Sequence, residues 1–344
     1  MNTSEEKKSR ELLEKFEEVA LKAIDAYSFL NDFEVQLLSY TENAVYLIKN
    51  GDGHNFVLRV CRPGYHTKPE IESEINWINS LDKHSPVEVA TPIAASDGEF
   101  VQTIKLSDDK NSYHCILFTF LKGEMLSNYK DSELQKHFLN IGEITAHFHN
   151  NDQNRPDLND INRSTWDVET ILGKNPKWGK WQDGPAITPD RYELFEEVSN
   201  IIQQRLKTFG QSSDRFGLIH SDLRFDNILI DNGQYKVLDF DDCGFGWYLF
   251  DLAATFNSID YESSASHSLQ ISSSNLIKSW VEGYRKVRSL SQEEEDEIPT
   301  FILMRRLMSI GWMGSRNNKK TREMGEIYTI NTVDLAKEYL TLYK

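Results

Sequence analysis

Asp222, Asn227 and Asp239 are two carboxylates and a carboxamide set around one short hairpin, in His220-Ser-Asp-Leu-Arg-Phe-Asp-Asn227 and Val237-Leu-Asp-Phe-Asp-Asp242. Asn232-Gly233, between Ile228-Leu-Ile-Asp231 and Gln234-Tyr-Lys-Val-Leu238, is a two-residue type I′ turn signal. Closing that hairpin brings Asn227 and Asp239 together at its open end. Ideal pairing sets Asn227 opposite Leu238, so a local irregularity is needed to aim both side chains at one place. Hard oxygen donors converging beside a free carboxylate suit Mg²⁺ carrying a nucleotide phosphate, with Asp222 left as base for an incoming hydroxyl. An Asp-x4-Asn alone is common turn chemistry. The ordered run of His, Asp, Asn, apolar hairpin and second acidic cluster is not.

Elements to position these groups are legible on either side. Residues 5–26 carry Leu12, Leu13, Phe16, Val19, Ala20 and Ile24 at amphipathic-helix spacing. Strands follow at Phe33–Ser39, Ala44–Lys49 and Asn55–Cys61, then a helix over 67–82. Asp97-Gly98 predicts a hairpin before Glu99–Lys105, and Tyr113–Leu121 is the last strand before a mainly helical remainder. Five strands and one helix followed by a helical body predict an α+β layout with its boundary near residue 121.

The bulk properties fit an enzyme of this kind. The chain has 344 residues, 39% of them hydrophobic, enough for two modest cores or one large one. Its 54 acidic against 38 basic residues give a net charge of -16, which argues against nucleic acid or an anionic membrane as the main partner. Cys61, Cys115 and Cys243 are scattered, with no CxxC spacing, so neither a disulfide framework nor a structural zinc is expected. No signal peptide and no membrane span is visible, and a cytoplasmic protein is expected. The oligomeric state is not legible.

The catalytic segment resembles the aminoglycoside phosphotransferase/choline kinase superfamily, whose fold is protein-kinase-like. Phe56-Val-Leu-Arg-Val-Cys-Arg-Pro-Gly-Tyr-His66, Ile141-Gly-Glu-Ile-Thr-Ala-His-Phe-His149 and Arg305-Arg-Leu-Met-Ser-Ile-Gly-Trp312 also fit bacterial members. The nearest branch in appearance holds homoserine-kinase-like enzymes and the stress-response serine/threonine kinase. The resemblance implies a two-lobed α+β fold. Residues 1–121 would form a small, mainly antiparallel N-lobe with one key helix, and 122–344 a larger, mainly helical C-lobe.

It also implies roles. Arg59 takes the place of the strand lysine that holds the α- and β-phosphates, with Glu74 as its helix partner; Glu72 and Arg62 are the alternatives. Arginine keeps the charge but brings a planar, two-pronged head. Ser39, Thr41 and Asn43 stand in a phosphate loop that has no glycine, and Phe118, Phe120 and Leu121 in the hinge that contacts adenine. Asp222 would serve as base or hydroxyl-orienting group, with Arg224 beside the transferring phosphate. Asn227, Asp239 and Asp241 would hold Mg²⁺, and Asp242 would be a structural acceptor. His220 is expected to brace the loop, and Asp251 to cap its helix and support that loop. Ser221 replaces the glycine of the common His-Gly-Asp pattern. His147 and His149, two apart on a helix, cannot easily grip one ion, and His149 is expected to be packed.

Eleven residues separate Asp239 from Asp251, too few for a long activation segment and a peptide platform. The expected activity is therefore ATP- and Mg²⁺-dependent phosphorylation of a small-molecule hydroxyl, with Trp166, Trp178, Trp181, Trp312 and Arg316 as acceptor-site candidates. ATP and GTP are not distinguished as donors. An atypical serine/threonine protein kinase and a degenerate, non-catalytic nucleotide-binding regulator are the rival readings.

Overall fold

The computed structural model describes residues 3–129, 133–152, 160–259, 269–316 and 319–344. The chain divides into two compact units. The first comprises the described residues of Met1–Gly123, Pro156–Asn162 and Lys236–Asp241; the second comprises those of Glu124–Arg155, Arg163–Tyr235 and Asp242–Lys344.

In the first unit the elements are α1 (Thr3–Ile24), β1 (Glu34–Tyr40), β2 (Ala44–Lys49), β3 (Asn55–Val60), α2 (Lys68–His84), β4 (Glu88–Val89), β5 (Pro92–Ile93), β6 (Gln102–Lys105) and β7 (Ser112–Thr119). The apolar stripe of α1 (Phe16, Val19, Ala20, Ala23, Ile24) meets Tyr46, Ile48, Leu58, Val60, Tyr113, Cys115 and Leu117 in one core. The antiparallel sheet runs β1-β2-β3-β7-β5, with β6 also on β7. Helix α2 starts at a full capping box: Thr67 and Glu70 satisfy each other's backbone N–H groups, and Pro69 stands in the first turn.

One expected hairpin is absent. The chain does turn at Asp97-Gly98, where Gly98 has φ +86°. However, β5 pairs with Leu117 and Phe118 while β6 pairs with Ser112–Cys115. The two short strands follow one another along a single edge of β7 instead of facing each other. An eight-residue strand offers enough edge for both.

The second unit contains β8 (Glu124–Met125), α3 (Leu134–Asp152), β9 (Thr165–Trp166), α4 (Val168–Leu172), α5 (Pro189–Phe209), β10 (Phe216–Ile219) and β11 (Ile228–Asp231). After β12 (Gln234–Val237), which runs out of this unit, come β13 (Gly244–Trp247), α6 (Leu249–Asn257), α7 (Leu269–Arg285), α8 (Gln292–Asp296), α9 (Ile298–Ser315) and α10 (Lys319–Tyr343). Helix α9 is the centre of this unit, buried almost along its whole length. Helices α3 and α7 approach until a Cβ on Gly283 would lie 1.8 Å from the Leu139 carbonyl oxygen, so only glycine fits there.

The turn after β11 is of the kind its sequence predicts. Asn232 and Gly233 both have positive φ, +51° and +83°. The irregularity required at the open end is present on both arms. Phe225–Asn227 is a 3₁₀ turn, and Asp239 is left-handed at φ +60°.

Candidate active site

In the first unit the central strand β3 carries Arg59 to α2. Its Nη1 and Nη2 donate to Glu74 Oε1 and Oε2, each at 2.8 Å, in a two-pronged pair. Both side chains are buried, 6% and 0% exposed. Burial works against the charge on Arg59, but Glu74 above all outweighs it and keeps the guanidinium firmly protonated. Nη1 also lies 3.5 Å from Asp241 Oδ1, and the Phe118 ring sits beneath the guanidinium, 5.3 Å away. The alternatives are engaged elsewhere: Glu72 pairs with Lys68 and Arg62 with Glu42.

The phosphate-loop candidates separate. Ser39 stays on β1 opposite Val45, past a bulge at Leu37, and Thr41 donates its backbone N–H to the Asn43 carbonyl. Asn43 is buried and already engaged: its Nδ2 donates to Asp241 Oδ2 at 2.9 Å, and its Oδ1 accepts from the Arg62 N–H at 3.0 Å. Phe118 is buried in β7, while Phe120 and Leu121 follow the strand half-buried. Asp239 and Asp241 differ. Asp241 is 5% exposed and gripped by Asn43 and Arg59, with His66 Nε2 at 3.9 Å, whereas Asp239 is exposed.

Replacing Glu74 by Gln leaves the Arg59 guanidinium buried without its carboxylate. Loss of one partner from a buried pair costs about 3–5 kcal/mol, and the lower end is expected because Asp241 remains close by. Urea unfolding of Glu74→Gln against wild type reads that loss directly.

In the second unit the loop from His220 to Asn227 is held from behind by α6. Asp251 Oδ2 accepts the His220 N–H at 3.0 Å, and its Oδ1 accepts the Ser221 N–H at 2.6 Å. Thr255 Oγ1 donates to the Leu223 carbonyl, and the Phe225 N–H donates to Ser258 Oγ. Asp251 is a brace, as expected, but not a cap. It lies inside α6, whose N-cap is Tyr248, and its carboxylate is spent on the loop instead of on the helix N–H groups.

His149 completes this support. Its Nε2 faces Asp251 Oδ2 at 3.1 Å and its Nδ1 faces the Tyr284 hydroxyl at 2.9 Å. Against a carboxylate Nε2 must carry the proton, so Nδ1 accepts from the Tyr284 O–H. Burial, first of several causes, pushes the Tyr284 hydroxyl well above its ordinary pKa, so it stays protonated as that donor. His220 is likewise a brace: fully buried, it accepts the Asp222 N–H on Nδ1.

Asp222 is surrounded by donors. Arg224 Nε reaches its Oδ1 and Oδ2 at 3.0 and 3.1 Å, and Asn227 Nδ2 reaches its carbonyl oxygen at 2.8 Å and its Oδ2 at 3.1 Å. The Asn227 amide nitrogen is thereby used. Arg305, from the middle of α9, donates to Asp222 Oδ1 at 2.7 Å and to the Ser221 carbonyl at 2.8 Å. Burial pushes the Asp222 carboxyl up, but Arg224, Arg305 and His220 outweigh it and hold it at about 2. It is ionised at any working pH.

Arg305 is the residue that sequence reasoning passed over. Its signal was available: two adjacent arginines inside Phe301-Ile-Leu-Met-Arg-Arg-Leu-Met308, an otherwise apolar helix, must each have a reason to be buried. The tryptophans also sort themselves. Trp166 and Trp181 are core, 0% and 3% exposed. Trp178, half-buried, lies against Arg305 at 5.3 Å, and Arg316 stacks on half-buried Trp312 at 4.9 Å.

Ser221 explains the glycine of the common pattern. It is left-handed at φ +68°, and its buried hydroxyl has no hydrogen-bond partner among the described residues. A left-handed non-glycine residue costs about 1–2 kcal/mol. Ser221→Gly is accordingly expected to raise unfolding free energy by about 1 kcal/mol, read by urea denaturation, with turnover little changed.

Among the described residues no helix is long and apolar enough to cross a membrane, and the three cysteines are free and buried. A profile described as the phosphotransferase enzyme family matches residues 35–290. A microcompartment-associated aminopropanol kinase of known structure is 33% identical, with a TM-score of 0.82 over 94% of this chain and 97% of that one. Amicoumacin kinase hAmiN, solved with AMP-PNP, Ca²⁺ and Ami, is 20% identical, with a TM-score of 0.75 over 92% and 93% of the two chains. The amicoumacin kinase of Bacillus subtilis (strain 168) is 23% identical over 297 residues, 86% of this chain and 84% of that protein. The fold is thus the expected α+β, protein-kinase-like one.

Proposed function

This chain belongs to the phosphotransferase enzyme family and is a kinase, and we propose from that premise that it moves the γ-phosphoryl group of ATP to the hydroxyl of a small amino alcohol. The observation that carries the reading is the ionised Asp222, with Asn227 and two arginines closed around it. In the transfer the acceptor oxygen bonds to the γ-phosphorus as the bond from phosphorus to the β,γ-bridging oxygen breaks, and ADP leaves. A carboxylate held at about 2 is a weak proton sink. Asp222 therefore acts chiefly by orienting the hydroxyl, whose proton departs late and passes on to solvent.

The donor side is assigned to the first unit. Arg59, preset by Glu74, would grip the phosphates, with backbone in the Ser39–Asn43 turn covering them and Phe118–Leu121 supplying the adenine contacts. In the first unit Asp239, exposed and acidic, and in the second the carbonyl oxygen of Asn227 are each hard oxygen donors of the kind Mg²⁺ takes. When bound, that ion neutralises charge on the β- and γ-phosphates. Asp241 is reassigned as the group that ties Arg59 and Asn43 together. The choice of an amino alcohol rests on the likeness to the aminopropanol kinase over nearly all of both chains.

The test is a coupled ADP-release assay with MgATP against 1-amino-2-propanol, ethanolamine, choline, homoserine and an aminoglycoside. Turnover with the amino alcohols and not with the others supports the reading. Turnover only with the aminoglycoside, or phosphate incorporated only into protein, would replace it.

A further inference from the structure

The geometry points to Arg305 as the positioning residue of the transfer: it is the fixed clamp that holds Asp222 while the acceptor hydroxyl takes the place of Arg224. This rests on Asp222 being the acceptor-side carboxylate. Asp222 Oδ1 receives Arg305 and Arg224, and Oδ2 receives Arg224 and Asn227, so a hydroxyl can be oriented only if one donor gives way.

Arg305 cannot be that donor. Its side chain is 3% exposed, its second prong is bonded to the Ser221 carbonyl, and its guanidinium lies against the Trp178 and Phe250 rings at 5.3 and 5.4 Å. Asn227 Nδ2 is anchored as well, through the Asp222 carbonyl. Arg224 is different. It is 31% exposed, and its outer nitrogen reaches the largely exposed Asp226 only at 3.7 Å. It is the most exposed of the three side chains that donate to Asp222.

When Arg224 leaves, Arg305 is, among the described residues, the cation still at hydrogen-bond distance from Asp222. It also fixes the two consecutive loop residues Ser221 and Asp222 with one planar head. A lysine has a single prong and cannot make both bonds at that spacing. Arg305 thus acts on the chemistry through Asp222, by aiming one carboxylate oxygen, without itself touching phosphate.

The experiment compares full-length wild type, Arg305→Lys, Arg305→Met and Asp222→Asn, measuring kcat and KM for ATP and for the acceptor. Calorimetric binding of MgATP serves as the check on folding. Arg305→Met is expected to lower kcat about 100-fold, the scale of an ångström-level misplacement. KM for ATP should hold, so the loss falls on kcat. Arg305→Lys should recover about tenfold of that loss. Arg305→Met with kcat within threefold of wild type overturns the proposal, as does a loss with no recovery in Arg305→Lys. If Arg305→Met fails to bind MgATP, Arg305→Lys decides alone: a lowered kcat supports the clamp and an unchanged one overturns it. Full activity in Asp222→Asn would instead remove the premise, a result distinct from either.

Discussion

Asp222→Asn is expected to lower kcat by about 10³-fold while MgATP still binds. The substitution keeps the shape of the side chain and one oxygen for Arg305, so the loop bonds from Asp251 to His220 and Ser221 should survive. What it removes is the negative charge that orients the acceptor hydroxyl. The loss should therefore fall on kcat, with KM for ATP little changed, because the interaction is made in the transition state. Single-turnover phosphoryl transfer alongside calorimetric titration of MgATP checks both halves; near-wild-type turnover would mean that another group orients the hydroxyl.

The same substitution carries a pH signature. Asp222 has its pKa lowered in the folded chain to about 2. A depressed carboxylate stabilises the fold fully above its unfolded pKa of about 3.9, and that contribution fades as pH falls through the folded value. The stability gap between wild type and Asp222→Asn should thus be flat from pH 5 upward and shrink in acid. Urea unfolding at pH 7, 5 and 3.5 measures it. A gap that widens in acid would contradict the assigned charge state.

Asp239→Asn is expected to abolish the Mg²⁺ dependence of ATP binding. Outer partners of metal ligands typically contribute about 10–100-fold to affinity, so loss of a ligand's charge should exceed that range. The fold should be hardly affected. Asp239 is exposed, and its carboxylate accepts the Asp241 N–H at a long 3.4 Å. Its left-handed backbone is one that asparagine also tolerates. Asp241→Asn makes the contrast, since it disturbs a carboxylate gripped by Asn43 and Arg59 and should cost stability before metal affinity. Calorimetry of ATP with and without Mg²⁺ separates the two. Equal Mg²⁺ dependence in wild type and Asp239→Asn would take Asp239 out of the metal site.

The local part of the site was legible because local geometry follows from spacing. The resemblance matched Arg59 on its strand with Glu74 on the next helix, and the two do pair. The Asn232-Gly233 turn announced itself through two residues that accept positive φ. Ser221 was harder to read. Its small size concealed that the position demands a left-handed backbone, which only the folded loop displays. Asp251 was misread in part for a related reason. A carboxylate near a helix start satisfies helix N–H groups unless a loop packs close enough to take it, and here the loop does.

By itself, then, the sequence determined the class of chemistry, the α+β elements and the short-range pairs, since each depends on residues a few positions apart on one strand, helix or turn. The tertiary structure decided which buried partners hold those groups in charge and position. Arg305 meets Asp222 across 83 residues, His149 meets Asp251 across 102, and Asn43 meets Asp241 across 198. No periodicity encodes such contacts. A buried charge must find a countercharge, but which one it finds depends on how the helices and strands pack, and only the folded chain specifies that.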